Sequence, residues 1–200
     1  MQRTKMLYRD PVLKIFTGPM FGSKTTQMLA CIDRYRYQNK TCVAFKPSMD
    51  DRYETDKIQT HSGLSIEATC VKTGQQILNT VRDVESTKNL HVDVVAIDEA
   101  FMIEGSADAI ISLYRSGINV IVASIQMSFM GNPFHEIKEI MPWATHITVC
   151  PAVCPKTGAD AYYTYKKMSD ENEVAVGGSE MYEPRCLSQH DLIRKGGFKC

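Results

Sequence analysis

Neither sign of charge dominates this sequence: 23 Lys+Arg face 23 Asp+Glu, giving a formal net charge of zero and a pI near 6.9. A chain without a global basic field is not organised to hold nucleic acid or an anionic membrane through its overall charge. Long hydrophobic runs are missing too. No segment approaches the roughly 20 apolar residues needed to cross a bilayer, and residues 1–16 lack a signal-peptide core, so a cytoplasmic protein is expected. What the chain does have is size. At 200 residues and 44% hydrophobic content it can bury a core without staples.

Of seven cysteines, Cys31, Cys42 and Cys70 sit singly in apolar periodic segments and are read as buried free thiols. Cys150, Cys154 and Cys186 cluster toward the C-terminal end with His190 close behind, while Cys200 ends the sequence.

From Val12 to Ser124 short apolar runs alternate with longer helical patterns, the signature of a parallel sheet covered by helices. Strands are predicted over Val12–Thr17, Thr41–Lys46, Ile66–Val71, Val92–Ile97 and Asn119–Ala123, and helices over Thr25–Gln38, Gln75–Thr87 and Ser106–Ser116. Thr73-Gly74-Gln75-Gln76 matches a capping box, and Ser116-Gly117 punctuates a helix end. After about residue 148 the rhythm stops. The remainder is rich in Tyr, Gly, Pro and Lys and has too little apolar surface to fold unaided, so two regions are predicted, residues 12–148 and residues 149–192.

Gly18-Pro19-Met20-Phe21-Gly22-Ser23-Lys24-Thr25 follows the first strand and opens the first helix, the context of a phosphate-binding loop. Backbone N–H groups of such a turn converge on an anion, a lysine reaches the outer phosphates, and a hydroxyl ligates magnesium. The glycine that usually precedes the lysine stands one place earlier here, at Gly22. Ser23 is therefore expected to take a left-handed backbone, with Gly22 relieving part of the strain. Val92–Ile97 leads into Asp98-Glu99. A carboxylate at a neighbouring strand end can support a magnesium shell while an adjacent acid takes a proton from a nucleophile.

Cys150-Pro-Ala-Val-Cys154 and Cys186-Leu-Ser-Gln-His190 form two pairs of soft ligands, each with three intervening residues. Thiolates and imidazole at this spacing suit tetrahedral zinc, and four protein ligands would make the site structural. A knuckle gripping DNA would need basic surroundings. Lys156, Lys166 and Lys167 are offset by Asp160, Asp170, Glu171 and Glu173.

Together with Lys46-Pro47, Asp51-Arg52-Tyr53, His61-Ser62-Gly63, Phe129, Pro133-Phe134, Val176-Gly177-Gly178 and Tyr182, these motifs make Val12–His190 resemble the type II (cellular, prokaryotic and viral) thymidine kinases. The resemblance implies an α/β fold, a P-loop (RecA-like) parallel sheet with helices on both faces, followed by a small zinc-ribbon-like lasso domain. It implies an ATP-dependent thymidine kinase that moves the γ-phosphate to the 5′-hydroxyl of thymidine, giving dTMP for nucleotide salvage, with Mg²⁺ and a structural Zn²⁺. Carried onto these positions, Gly18, Pro19, Met20, Phe21, Gly22, Ser23, Lys24, Thr25 and Asp98 would serve ATP and magnesium, Glu99 would be the base, and Arg52 would offset developing charge. Met20, Met102, Ile125, Phe129, Val174, Val176, Gly177 and Tyr182 would meet thymidine; Cys150, Cys154, Cys186 and His190 would hold zinc. A homo-oligomer, tetrameric by family analogy, in the cytoplasm (the host's if the source is viral) completes the expectation, with no nucleic-acid or membrane partner.

Overall fold

The computed structural model describes residues 10–48, 57–60, 63–167 and 177–192. Six strands form a parallel sheet: β1 (Leu13–Thr17), β2 (Cys42–Pro47), β5 (Thr69–Val71), β6 (Val94–Asp98), β7 (Asn119–Ala123) and β8 (His146–Val149), in the order β5-β2-β6-β7-β1-β8. Successive side chains on a strand point to opposite faces. On β6 and β7 both sets are largely apolar, and β1 adds Leu13 and Ile15 on one side and Phe16 on the other, so the centre of the sheet is buried from both sides.

One face gathers Leu13, Ile15, Val95, Ile97, Val120 and Val122 under α2 (Gly74–Lys88), α3 (Ser106–Arg115) and α4 (His135–Ile140), which contribute Ile77, Val81, Ile110, Leu113, Ile137 and Ile140. The other gathers Phe16, Ala44, Val94, Ala96, Ile121 and Ala123 under Met28, Leu29 and Ile32 of α1 (Lys24–Arg36). Helices thus cover both faces, as the alternation predicted.

Local signals act where they stand. Thr73 caps α2 in a full capping box, with Gln76 Oε1 accepting from the Thr73 N–H at 3.2 Å. The stop after α3 is made by Gly117 at φ 96°. The helix's other end was not legible in sequence: Glu136 of α4 reaches across, accepting from the N–H groups of Gly105 at 2.9 Å and Ala107 at 2.6 Å.

Two strand predictions change. The run expected over Ile66–Val71 is interrupted at Ala68. Its first part, β4 (Ser65–Glu67), pairs antiparallel with β3 (Lys57–Gln59), while β5 joins the main sheet. Strand β8 was not predicted. It lies at the sheet edge with Ile147 and Val149 exposed, so it lacks the apolar pattern of its neighbours.

Beyond it come short antiparallel pairs, β9 (Ala152–Val153) with β10 (Asp160–Ala161), and β11 (Tyr163–Lys166) with β12 (Tyr182–Arg185). Their apolar core is small: Ala152, Cys154 and Ala161, with Cys186 packed against them. Among the described residues no helix is long and apolar enough to cross a membrane.

Candidate active site

The parallel sheet brings the C-terminal ends of β1, β6 and β7 to one edge, where ligands of open α/β sheets sit. The Gly18–Thr25 loop leaves β1, Asp98 ends β6, and Ile125 follows β7. The loop is tightly seated. A Cβ at Gly18 would lie 2.2 Å from the carbonyl oxygen of Cys150, and one at Gly22 would lie 2.4 Å from the same atom. Only glycine permits that approach. Gly22 therefore answers to the Cys150 backbone rather than relieving its neighbour. Ser23 takes the left-handed conformation expected of it, φ 58°, and caps α1 without a side-chain hydrogen bond; Phe21, at φ 65°, is left-handed as well.

Lys24 is buried, and its ammonium donates to the Pro19 carbonyl at 2.6 Å, keeping the charge inside the curve of the loop. The Thr25 hydroxyl stands 3.2 Å from both carboxylate oxygens of Asp98, which is buried at its strand end. A hydroxyl and a carboxylate beside a phosphate-type loop form a hard-oxygen donor set that fits magnesium. Glu99 follows at φ 48°. Its N–H donates to Ala123 O at 2.7 Å on β7, so the turn that redirects the Glu99 side chain is fixed by the sheet.

Gln126, which sequence reading missed, ties the loop to the end of β7, because its Oε1 accepts from Thr17 Oγ1 at 2.7 Å and Gly18 N at 2.8 Å. Thr164 was missed as well. Its buried hydroxyl accepts from Met20 N at 3.1 Å, joining the C-terminal hairpin to the phosphate-type loop. No spacing rule links residues so far apart in sequence. Near it, Phe129 lies 5.1 Å from the buried Lys166 ammonium, and Lys166 pairs in register with the buried Tyr182. Ile125 is buried and Met102 half-buried. Gly177 begins the final described segment, where a Cβ would meet Met181 Sδ at 2.4 Å. Arg52, Val174 and Val176 lie outside the described residues.

The zinc expectation needs correction. Cys150, Cys154, Cys186 and His190 are not brought to one point. Cys150 belongs to the core beneath α1, continues the sheet through its N–H to Thr17 O at 2.7 Å, and turns its thiol toward Thr148 O at 3.8 Å. Two of the three intervening residues, Ala152–Val153, form strand β9, and a fully extended chain carries a residue four positions on by roughly 13 Å. His190 is buried with both ring nitrogens engaged: Nε2 with Thr164 O at 2.9 Å, and Nδ1 accepting from Leu192 N at 3.2 Å. Tyr163 and Tyr165 flank its ring at 5.9 and 5.7 Å.

What does meet is Cys154 with Cys186, beside Thr157 and Ser188, whose hydroxyls each lie 3.4 Å from Cys186 Sγ. Two thiols and two hydroxyls are not the thiolate and imidazole set of a structural zinc site. Among the described residues no group of three or more His, Cys, Asp or Glu is arranged to hold a metal ion. The residues present do not fit zinc.

The thiols differ by region. Burial raises Cys31, Cys42 and Cys150 above the ordinary thiol value. At Cys154 burial also raises it, but interactions from the Cys186 N–H, the Thr157 hydroxyl, the Lys156 N–H and the Cys186 thiol outweigh that and lower it overall.

A parallel α/β sheet with a glycine-bearing loop after its first strand, a lysine and threonine opening the next helix and an acid pair one strand beyond the neighbour defines a P-loop-like nucleotide-handling protein. The thymidine kinase family model matches residues 11–190, and the chain belongs to that family. Membership brings the family's general activity, phosphorylation of thymidine by a kinase of the transferase class.

Proposed function

We propose that this chain transfers the γ-phosphate of ATP to the 5′-hydroxyl of thymidine, giving dTMP for nucleotide salvage. The contact between Thr25 and Asp98 at 3.2 Å, beside a loop seated against Cys150 O, carries the reading. Magnesium held at Thr25 and Asp98 would neutralise phosphate charge when bound. The backbone of Gly18–Ser23 and the Lys24 ammonium bind the phosphates. Glu99 accepts the proton of the 5′-hydroxyl. The role proposed for Arg52 is to offset charge developing on the transferred phosphate, which suits a planar guanidinium. Met20, Met102, Ile125, Phe129, Gly177 and Tyr182 receive the nucleoside, a role proposed for Val174 and Val176 as well. The exposed apolar side chains of the edge strand β8, Ile147 and Val149, support assembly into a homo-oligomer, proposed as a tetramer in the cytoplasm.

The test is phosphotransfer from labelled ATP to each natural nucleoside, with and without Mg²⁺. Thymidine should be phosphorylated at its 5′ position in preference to purine nucleosides, and only with the metal. Transfer to none of the nucleosides, or equal transfer to purines, would overturn the reading.

A further inference from the structure

The turn after β9 and the end of β12 bring two cysteines into one small cluster, and among the described residues no third His, Cys, Asp or Glu joins them in a metal-holding group. Cys154 is anchored by its turn: its N–H donates to Ala159 O at 2.8 Å, and its carbonyl accepts from Thr157 N at 3.3 Å and Gly158 N at 2.8 Å. Cys186 opens a second turn, closed by Gln189 N on Cys186 O at 3.0 Å. Cys186 packs against the small cluster that holds Cys154, and Thr157, bonded into the first turn, lies 3.4 Å from Cys186 Sγ. Their other neighbours in this cluster are Ala152 and Ala161, whose small side chains put little bulk around the two thiols.

We propose that Cys154 and Cys186 form a covalent modification site, a reversible intrachain disulfide made by exchange with a small-molecule disulfide such as oxidised glutathione. Cys186 is the half-buried partner and Cys154 the buried one, so Cys186 reacts first. Its thiolate attacks one sulfur of the oxidised glutathione, forming a mixed disulfide and releasing one glutathione thiolate. Cys154 then attacks Cys186 Sγ and displaces the second glutathione. The two protein thiols lose two electrons to the glutathione disulfide, and their protons pass to the two glutathiones released. Excess reduced glutathione reverses both steps. The link would tie the β9 turn to the end of β12 without involving the phosphate-type loop.

The full chain is equilibrated across ratios of oxidised to reduced glutathione, free thiols are trapped by alkylation, and cysteine peptides are mapped. The expected result is a Cys154–Cys186 linked peptide, with two of the seven thiols protected, forming at a less oxidising ratio than any other pair. In Cys154→Ser, Cys186 should stop at the glutathione adduct. Failure to link under excess oxidised glutathione, or earlier formation of another pair, would overturn the proposal. So would one zinc per chain retained by the parent and lost in Cys154→Ser. Mapping the parent chain keeps the answer independent of whether the variant folds.

Discussion

The sheet body and the hairpins after Val149 are held by different forces. In the body, β1, β6 and β7 bury apolar side chains on both faces, and the two resulting clusters include most of the buried aliphatic residues. In the hairpins the apolar cluster shrinks to Ala152, Cys154 and Ala161. Directional contacts replace it: His190 bonded to Thr164 O between two tyrosine rings, and Arg185 stacked 4.5 Å from Tyr165 while paired with Glu183. A body stabilised by area tolerates the loss of single polar contacts. A region stabilised by a few directed contacts does not.

The largest expected effect asks whether chemistry resides in the body. Glu99→Gln keeps shape and hydrogen-bonding capacity but loses basicity, so turnover should fall by about 10²–10⁴ with thymidine affinity retained. Single-turnover rates and equilibrium binding check both halves, and a loss under about tenfold would remove Glu99 from the base role, judged against the same range.

Next come paired truncations, one in each region. Ile110→Ala leaves a hole among fully buried side chains and should cost about 2–5 kcal/mol of global stability in denaturant titration. His190→Ala strips Thr164 O of its donor, a loss of about 1–3 kcal/mol. That loss should appear as faster amide exchange confined to the hairpins. If exchange accelerated equally across β1, β6 and β7, the two regions would be one cooperative unit.

A smaller effect concerns the junction between them. Ser23→Gly removes a left-handed serine and should stabilise the chain by about 1 kcal/mol, read as a raised Tm. Gly22→Ala should do the reverse, because its Cβ would collide with the Cys150 carbonyl that closes the sheet onto the hairpins. A neutral Gly22→Ala would mean that this close approach is dispensable.

Smallest is a surface contact of the body. Asp93 is raised by partial burial, but the Lys40 ammonium at 2.7 Å and the Thr41 N–H at 2.9 Å hold its carboxyl below the usual range. A carboxyl lowered by folding contributes stability above its unfolded pKa, and loses it as pH falls through the folded value. Asp93→Asn should therefore cost a few tenths of a kcal/mol at neutral pH and flatten the acid limb of stability below about pH 4. An unchanged acid limb would show that the pair contributes nothing.

Much of this molecule is local enough to read along the chain. Thr73 and Gln76 form a capping box because their bonds span only three residues, and the loop from Gly18 to Thr25 follows a strand and opens a helix in one continuous segment. The alternation of short apolar runs with helical patterns predicted a parallel sheet covered by helices for the same reason: each run and each helix is one continuous segment. The edge strand β8 escaped because an exposed strand has no such run, and α4 because six residues are too few to show a period.

The sequence by itself determined the alternation of strands and helices, the phosphate-type loop, the acid pair and the left-handed demand on Ser23. These are set by periodicity and by backbone sterics within a few residues. Only the tertiary structure decided which cysteine meets which, and that His190 serves a carbonyl and an amide instead of a metal. It also decided that Gly22 is required by the Cys150 carbonyl and that Thr164 reaches Met20. Those contacts join positions far apart in the chain. Spacing within Cys150–Cys154 could not reveal that Ala152–Val153 is extended, because a short segment bends or straightens according to the partner strand it finds.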